Sequence, residues 1–246
     1  MSDEFEPVNQ TESGHNYRLL SVVVPVYNER TTVAEIIRRI RAVDLPLRLE
    51  VVVVDDGSSD GSDKVLSALQ DSTVRLIKHP HNKGKGAAVR TGIEAVKGDL
   101  VLIQDADLEY DPDDWPLLLS PILKGKARVV YGSRFTGEHK NMLLSHWIGN
   151  RFLTLVTNLL YGSTISDMET CYKLFDRRVL DRIKVESDRF EFEPEITAKV
   201  LKMGERIYEV PISYAGREMT EGKKITWHDG FGALRTLVRY RFRSTN

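Results

Sequence analysis

The chain has 246 residues, which fits one large domain or two small ones. Its net charge of −1 provides no basic excess to neutralise phosphates, which argues against bulk binding to nucleic acid. A single cysteine, Cys171, excludes an intramolecular disulfide framework and is typical of a protein in a reducing cytoplasm. We expect this cysteine to be buried packing and not a nucleophile.

The N-terminus and the apolar segments bear on where the protein works. Residues 1–17 are polar and acidic, so we expect a disordered lead-in and not a signal peptide. No stretch has the roughly 18 uninterrupted apolar residues of a membrane span. The longest candidate, Met142 to Tyr161, is interrupted by His146, Asn150, Arg151 and Asn158. We therefore expect a cytoplasmic protein, soluble or attached to a membrane surface.

Predicted strands and helices alternate along the first half of the chain. The strands are apolar runs at Leu19–Val24, Leu49–Val54, Val74–Lys78 and Leu100–Ile103, and we expect Pro25 to end the first of them. Helices with apolar residues at helical spacing follow the first three strands, at Val33–Ile40 (capped by Thr31 or Thr32), Val65–Leu69 and Ala87–Val96. This alternation predicts an α/β fold, a mostly parallel central sheet of Rossmann-like type flanked by helices.

The fourth strand leads into three acids at alternate positions, Asp105, Asp107 and Glu109. Ligands of open α/β folds bind at the carboxyl ends of the strands. Acids gathered there repel one another unless a cation lies between them, and Mg²⁺ or Mn²⁺ bound through carboxylates and substrate phosphates meets that need. The alternative interpretation is a polar turn that caps the next helix, to which Asp111 and Asp113 contribute.

Two earlier loops also carry polar chemistry. The segment Asp55–Ser58 offers carboxylates and backbone amides suited to a base or ribose, although an N-capping turn explains it equally well. The segment Lys83–Gly86 opens a helix, where glycines allow a close approach of backbone to a phosphate. Neither the P-loop spacing nor the dinucleotide-binding fingerprint is present, which argues against a kinase, a P-loop ATPase or an NAD enzyme.

Seven segments together resemble the GT-A nucleotide-sugar glycosyltransferases of family 2. The first four are VVVPVYNE, VVVVDDGSSDGS, NKGKGAAVRTG and LVLIQDADLEYDP, and the later three are VVYGSRF, SDMETCYKLF and RFEFEPEITAKV. The subgroup that the chain resembles is the polyprenyl-phosphate sugar synthases, which include dolichyl-phosphate mannose and glucose synthases. The resemblance implies a GT-A catalytic domain over residues 18–220 with a C-terminal acceptor-side extension. Residues 221–246 would form a basic amphipathic segment that completes the same domain.

The resemblance also implies roles for individual residues. Asp105, Ala106 and Asp107 match the segment that holds the metal and the diphosphate. Glu109 stands where many mannose synthases carry glutamine, which keeps a third metal ligand but leaves the sugar open. The positions that match nucleotide-sugar contacts elsewhere are Pro25, Tyr27, Glu29, Asp56, Ser58 and Lys85.

The remaining implied roles concern the two phosphates and the acceptor. Arg134 and Arg217 match basic positions near the donor and acceptor phosphates, and we include both among the catalytic candidates with Asp107. Lys223 and Lys224 match a mobile C-terminal loop, where Lys223 would contact the donor. Asp167 matches an acceptor-side acid that orients the acceptor or the metal, or serves as the base.

The implied reaction is inverting, metal-dependent transfer of mannose or glucose from GDP-mannose or UDP-glucose to a polyprenyl monophosphate. An ionised phosphate acceptor needs no strong base, whereas a hydroxyl acceptor requires one. Two alternatives stay open. One is a family 2 transferase with a soluble or glycan hydroxyl acceptor, and the other is a non-catalytic subunit that binds nucleotide sugars.

Contact with a lipid acceptor would require a membrane-facing element. Met142–Tyr161 and Phe231–Arg243 both mix apolar and basic residues, which is typical of helices at an anionic membrane surface. The alternative is that each helix packs on the sheet with a solvated basic face. Peripheral attachment or a separate membrane subunit would bring the chain to its lipid.

Overall fold

The computed structural model describes residues 16–69, 73–138, 142–217 and 227–243. Seven strands form one sheet: β1 Leu19–Val26, β2 Arg48–Asp55, β3 Val74–Lys78, β4 Leu100–Ile103, β5 Val129–Ser133, β6 Lys173–Asp176 and β7 Ile207–Pro211. The helices are α1 Val33–Ala42, α2 Ser62–Ala68, α3 Lys85–Ala95, α4 Trp115–Leu123, α5 Leu144–Tyr161, α6 Arg177–Leu180, α7 Phe192–Lys202 and α8 Trp227–Phe242. A short 3-10 helix, Pro112–Asp114, precedes α4.

The strands are arranged in the order β3-β2-β1-β4-β6-β5-β7. Only β6 runs antiparallel to its neighbours, so the prediction of a mostly parallel sheet is confirmed. Consecutive valines of β1, Val22 to Val24, are all fully buried. Because successive strand residues point to opposite faces, both faces of the sheet are covered. The carboxyl ends of the parallel strands consequently meet at one edge.

The first strand does not end at Pro25 as predicted. Val23 accepts a hydrogen bond from the Gln104 amide, and Val26 accepts one from the Asp56 amide, so alternate residues of β1 face β4 and β2. Pro25 therefore faces the β4 side, where strand pairing has already stopped at Val23. A proline without an N–H leaves no ladder bond unmade at this position.

Two further expectations near the N-terminus need correction. Thr32 occupies the N-cap position of α1, but its side chain makes no capping bond and donates to Glu29 instead. Tyr17 was placed in the disordered lead-in, yet it is buried and its hydroxyl donates to Asp176 at 2.8 Å. Residues 1–15 lie outside the described part of the chain.

The C-terminal helix α8 packs on α7 and α5. A second, smaller core forms there from Leu153, Ile165, Met168, Ala233 and Leu237. This core lies apart from the main one around the sheet, and α8 supplies two of its five buried members. Within the described ranges, no helix has both the length and the apolarity needed to cross a bilayer.

Candidate functional site

The acidic segment after β4 is held by a buried polar network. The side chain of Gln104 is buried, and its Oε1 accepts hydrogen bonds from Tyr172 (2.6 Å) and Trp115 (3.1 Å). Leu108 has φ 63°, and the Glu109 amide donates to Asp107 Oδ1 at 3.1 Å. In this tight turn Asp107 accepts from the Glu109 amide, and neither of these two acids caps the helix that follows. Of the residues in the alternative interpretation, Asp111 does cap the 3-10 helix, where it accepts from the Asp113 amide.

Arg217 contacts three acids from two distant parts of the sequence, Glu29 after β1 and the pair Asp107 and Glu109 after β4. Its guanidinium lies 3.1 Å from each oxygen of Glu29 and 3.0 Å from Asp107 Oδ2. Its backbone amide donates to Glu109 at 2.7 Å. Four of the predicted site residues are thus brought together in one cluster, which we call the acid–arginine cluster: Glu29, Asp107, Glu109 and Arg217.

Lys85 balances the neighbouring aspartate. Its Nζ donates to Asp105 at 2.9 Å and lies 3.2 Å from the buried Glu193. Burial opposes a charge on this ammonium, but the carboxylates of Asp105 and Glu193 outweigh it and raise the pKa of Lys85. Lys85 therefore remains a cation beside the segment that was predicted to hold a diphosphate.

The charge on Asp107 is only partly balanced. Burial first, and then the nearby Asp105 and Glu109, raise the pKa of Asp107 to about 7, although Arg217 acts in the opposite direction. A further cation placed between the acids would stabilise the charged form of the Asp107 carboxylate. The oxygen-only donor set is the type that Mg²⁺ and Mn²⁺ prefer.

The fit of a divalent ion rests on two aspartates and not on three acids. Both oxygens of Glu109 are already hydrogen bonded, to the Tyr214 hydroxyl at 2.8 Å and to the Arg217 amide. Among the described residues, no set of three acidic, His or Cys side chains is arranged to hold a metal. Asp105 and Asp107 fit an ion whose other ligands come from a substrate, as is usual for Mg²⁺.

Arg134 and Asp167 form a buried, bidentate ion pair. Arg134 Nε and Nη2 donate to the two oxygens of Asp167 at 2.7 and 2.8 Å, and the Arg134 amide donates at 3.0 Å. The guanidinium also lies over the Tyr214 ring, 5.3 Å from its centroid. With both oxygens occupied, Asp167 orients Arg134 and is poorly placed to act as a base.

Asp56 organises the loops around it. Its oxygens accept bonds from the amides of Lys83 (3.0 Å) and Gly84 (2.7 Å) and contact the ring of His79 (2.6 Å). These three contacts fix the orientation of the carboxylate and leave an acceptor position on Oδ2, so the predicted contact with a base or ribose stays a prediction. His79, which the sequence left unassigned, is buried and also contacts Thr91 at 3.0 Å.

The glycines of the Lys83–Gly86 segment serve packing against the protein. A Cβ on Gly84 would lie 2.3 Å from the Asp188 carbonyl oxygen, and one on Gly86 would lie 2.4 Å from that of Ser187. The backbone that approaches these glycines closely is that of residues 187–189. The structure thus gives them a packing role, and the approach of a phosphate to this segment stays a prediction.

Glu169 was not singled out from the sequence. Its Oε1 is buried and has no hydrogen-bond partner among the described residues. Burial first, and then Glu193, raise the pKa of Glu169 to about 7, while Lys173 and Arg134 act in the opposite direction. The residue lies within SDMETCYKLF, two positions after Asp167, so the signal available in the sequence is a second acid in the same motif.

The other predicted residues are located as follows. Pro25 and Tyr27 are partly buried, Ala106 is buried, and Ser58 accepts a hydrogen bond from the Asn28 amide at 3.0 Å. Lys223 and Lys224 lie outside the described residues. Cys171 is buried, and burial raises the pKa of its thiol, which fits the predicted packing role.

Comparison with known proteins decides the family. The model of glycosyl transferase family 2 matches residues 21–184, more than half of the chain. The chain belongs to glycosyl transferase family 2. The resemblance seen in the sequence is therefore confirmed.

Curated relatives of this glycosyltransferase include three with informative names. A low-salt glycan biosynthesis hexosyltransferase from Haloferax volcanii is 31% identical, over 89% of this chain and 53% of the relative. Dodecaprenyl-phosphate galacturonate synthase from Rhizobium johnstonii is 27% identical, over 89% and 65%. UDP-N-acetylglucosamine–dolichyl-phosphate N-acetylglucosaminyltransferase from Methanococcus voltae is 29% identical, over 85% and 91%. The glycosyltransferase thus spans less than two thirds of the length of the first two.

Solved structures show the same fold. Glucosyl-3-phosphoglycerate synthase from Mycobacterium tuberculosis in complex with Mn²⁺ and UDP-glucose superposes with a TM-score of 0.72 at 19% identity, covering 93% of this chain and 81% of that one. The complex of that enzyme with Mg²⁺ and UDP gives a TM-score of 0.70 at 20% identity, with the same coverage. The predicted GT-A fold is confirmed.

Proposed function

We propose that this glycosyltransferase transfers a hexose, mannose or glucose, with inversion from GDP-mannose or UDP-glucose to a polyprenyl monophosphate. The observation that carries the proposal is the buried Arg134–Asp167 pair, which is joined to the acid–arginine cluster through Tyr214: Arg134 lies over the Tyr214 ring, and the Tyr214 hydroxyl donates to Glu109. It provides an oriented cation for an acceptor phosphate and no free carboxylate on Asp167. Two of the three relatives bear names with a prenyl phosphate in them.

On the donor side, Asp105 and Asp107 would hold a Mg²⁺ or Mn²⁺ ion together with the diphosphate. The ion, when bound, neutralises charge on the departing diphosphate. Lys85 lies beside Asp105 and would add a second positive charge next to the diphosphate of the donor. Arg217 would exchange its contacts with the acids for contacts with the donor, because the ion and the guanidinium balance the same carboxylates.

On the acceptor side, the proposed role of Arg134 is to bind the phosphate that attacks the anomeric carbon. The second pKa of a phosphomonoester is about 6–7, so the attacking oxygen is already ionised near neutral pH. A general base is then dispensable, and the task of the protein is to hold two anionic groups close together. Asp167 keeps the Arg134 guanidinium in a fixed orientation for that purpose.

One observation favours a second candidate, transfer to a soluble or glycan hydroxyl. Such an acceptor needs a base within hydrogen-bond reach, and a base works best when its pKa lies near the working pH. The carboxyl of Glu169, whose Oε1 has no hydrogen-bond partner among the described residues and whose pKa is about 7, has that property. A non-catalytic subunit is the third candidate, and the experiment below separates all three.

The deciding experiment is transfer from radiolabelled GDP- and UDP-sugars to a polyprenyl phosphate, with Mg²⁺, with Mn²⁺ and with EDTA. We expect label in the organic phase only with metal, and the donor that gives it names the sugar. Asp107→Asn should abolish this transfer, while Asp113→Asn, an exposed acid on the same loop, should leave it unchanged. Each variant is first shown to melt like the wild type.

The other outcomes each point elsewhere. Label that stays in water on an added sugar acceptor would support the hydroxyl-acceptor candidate, and Glu169→Gln should then abolish it. Binding of a nucleotide sugar without transfer or hydrolysis would support the non-catalytic candidate. Unchanged turnover in Asp107→Asn would show that the metal assignment is wrong.

We also propose that the protein acts at the cytoplasmic face of a membrane, by peripheral attachment or through a membrane partner subunit. This follows from the proposed lipid acceptor, since a polyprenyl chain is confined to a bilayer.

A further inference from the structure

Helix α5 exposes a continuous apolar stripe. Five large apolar residues follow one another at intervals of four, four, three and four positions, which places them on one face of a helix. More than half of each side chain is exposed: Leu144 70%, Ile148 53%, Phe152 53%, Leu155 54% and Leu159 76%. Trp147, 44% exposed, borders the same stripe. Single exposed apolar residues are common on protein surfaces, but a contiguous apolar patch usually marks a surface that contacts a partner or a membrane.

The stripe cannot turn inward, since the other face of α5 is already packed. Leu153, Thr154 and Thr157 are buried, and Leu153 belongs to the second core shared with α8. Tyr161, the last residue of α5, donates a hydrogen bond to the Leu237 carbonyl of α8 at 2.6 Å. The orientation of α5 about its own axis is thus set by the protein.

The stripe and the neighbouring C-terminal segment carry basic residues and no acids of their own. Acids of the segment before α7 face part of α8, where Glu186 pairs with Arg243, and Asp188 and Glu191 line a groove with Arg235 and Arg239. Residues 144–161 contain no Asp or Glu, and neither do residues 231–243 of the adjacent C-terminal segment. The arginines of these segments are Arg151, Arg235, Arg239, Arg241 and Arg243. Apolar side chains with basic neighbours complement a bilayer that contains anionic lipids.

The stripe is continuous with the acceptor side of the site. Arg151, next to Phe152, donates to the Ser166 carbonyl at 3.3 Å, and Ser166 immediately precedes Asp167. The Arg151 guanidinium also lies 5.5 Å from the centroid of the Phe135 ring, beside Arg134. One helix therefore carries both the exposed apolar stripe and a direct contact to the segment that orients Arg134.

We propose that the outward face of α5 docks on an anionic lipid bilayer, with the helix lying in the interface and its stripe among the acyl chains. This face would bring Arg134 to the depth of the lipid phosphates, so that a prenyl phosphate reaches the site without leaving the membrane. The inference rests on the proposed lipid acceptor and identifies the surface through which that acceptor is met.

The test is cosedimentation of the full chain with vesicles of phosphatidylcholine alone or with one quarter phosphatidylglycerol. The variant is Leu155→Glu with Leu159→Glu. The matched control is Leu117→Glu with Tyr208→Glu, two exposed apolar residues on α4 and β7, 48% and 42% exposed. We expect the wild type and the control to bind anionic vesicles, and the α5 variant to bind at least tenfold more weakly, with unchanged melting temperature.

Three results would overturn the inference. The first is that the α5 variant binds vesicles as tightly as the wild type does. The second is that the control variant loses as much vesicle binding as the α5 variant. Alternatively, the wild type would be a dimer in the absence of lipid and the α5 variant a monomer, which would assign the stripe to a second copy of the chain.

A second measurement separates this inference from the proposed function. With a short, water-dispersible prenyl phosphate as acceptor, the α5 variant should retain the transfer rate of the wild type. If the wild type transfers no sugar to any prenyl phosphate but binds vesicles through α5, the proposed function fails while the docking surface stands. If transfer to a prenyl phosphate occurs but vesicle binding does not depend on α5, the docking surface fails while the proposed function stands.

Discussion

Arg217 is the residue on which the charge balance of the donor side depends. It contacts Glu29 and Asp107 directly, and its Nε lies 3.9 Å from Glu109. The acids that it neutralises include one of the two aspartates that we propose as metal ligands. A divalent ion and the Arg217 guanidinium should therefore compete for the same negative charge.

We predict that Arg217→Gln binds Mn²⁺ more tightly than the wild type in the absence of a donor, by about tenfold, or ~1.4 kcal/mol. The reason is that removal of the guanidinium leaves the acids unbalanced and ready for another cation. Calorimetric titration with Mn²⁺ measures this directly. Arg90→Gln, which removes a pair with Asp188 away from the acids, serves as the control and should not change the affinity. Weaker Mn²⁺ binding in Arg217→Gln would contradict the competition.

Glu169 should make stability depend on pH. Its carboxyl is easier to protonate in the folded protein, with a pKa of about 7, than in the unfolded chain, where the pKa is about 4.5. The folded state therefore binds more protons between these values, and the free energy of unfolding falls as the pH rises from about 4.5 to 7. Below that window the contribution of Glu169 is fully present, and above it the contribution is lost.

We predict that Glu169→Gln, which resembles the protonated form, is more stable than the wild type at pH 8 by about 1–3 kcal/mol. The difference should shrink toward zero at pH 5, because the wild-type carboxyl is then protonated too. Urea unfolding at pH 5, 6, 7 and 8 measures both proteins. A stability difference that does not vary with pH would show that the Glu169 carboxylate is not buried without a partner.

At the same scale, residue types alone did not reveal the protein partners of two acids. Asp56 and Asp167 are predicted to face the donor and the acceptor, and in the structure Asp56 also holds the Gly84 amide and Asp167 the Arg134 guanidinium. A carboxylate at a strand end looks the same in the sequence whether its partner is a ligand, an arginine or a backbone amide. The partners here lie 23 to 33 residues away along the chain, beyond the reach of local patterns.

At the scale of elements, the segment between β3 and α3 shows why glycine positions need three-dimensional context. Gly84 has φ 103°, a region that favours glycine, and it packs against the Asp188 carbonyl. The positive φ and the close approach of the Asp188 carbonyl each favour glycine at position 84, the first through its own backbone and the second through a distant loop. The sequence predicted a helix start at this segment correctly, and the structure begins α3 at Lys85.

We predict that Gly84→Ala lowers the free energy of unfolding by about 1–3 kcal/mol, since the new Cβ meets backbone and the dihedral angle is strained. Gly149→Ala is the matched control, because a Cβ on Gly149 of α5 meets nothing within 4 Å. That substitution should be neutral or stabilising by up to ~1 kcal/mol. Chemical denaturation of both variants is the measurement, and equal effects would refute the packing role of Gly84.

For the molecule as a whole, the packing of α8 bears on whether the C-terminal segment belongs to the same folding unit. Leu237 is fully buried in the second core and α8 packs on both α5 and α7. The helix therefore closes the side of the protein that carries the proposed lipid-docking face. We proposed that residues 221–246 complete the same domain, and this packing of residues 230–243 supports it.

We predict that Leu237→Ala destabilises the entire protein by about 2–4 kcal/mol in a single cooperative transition, because the lost side chain leaves a cavity. Val238→Ala, one position further and 42% exposed, should change the stability by less than ~0.5 kcal/mol. Circular dichroism and tryptophan fluorescence should report the same midpoint for Leu237→Ala. Two separate transitions would show that the C-terminal segment folds independently.

The sequence by itself determined the fold class, the first four strands to within two residues at their ends, and the acids at the end of β4. These follow from short-range rules, the periodicity of buried side chains and the turn chemistry at strand ends, which a linear pattern records. Only the tertiary structure decided which charges meet. Arg217 reaches Glu29 across 188 residues, and Asp167 reaches Arg134 across 33, because the strand order brings β1, β4 and β5 to one edge. It also decided that α5 presents its apolar stripe outward, since the packing of α8 occupies the other face.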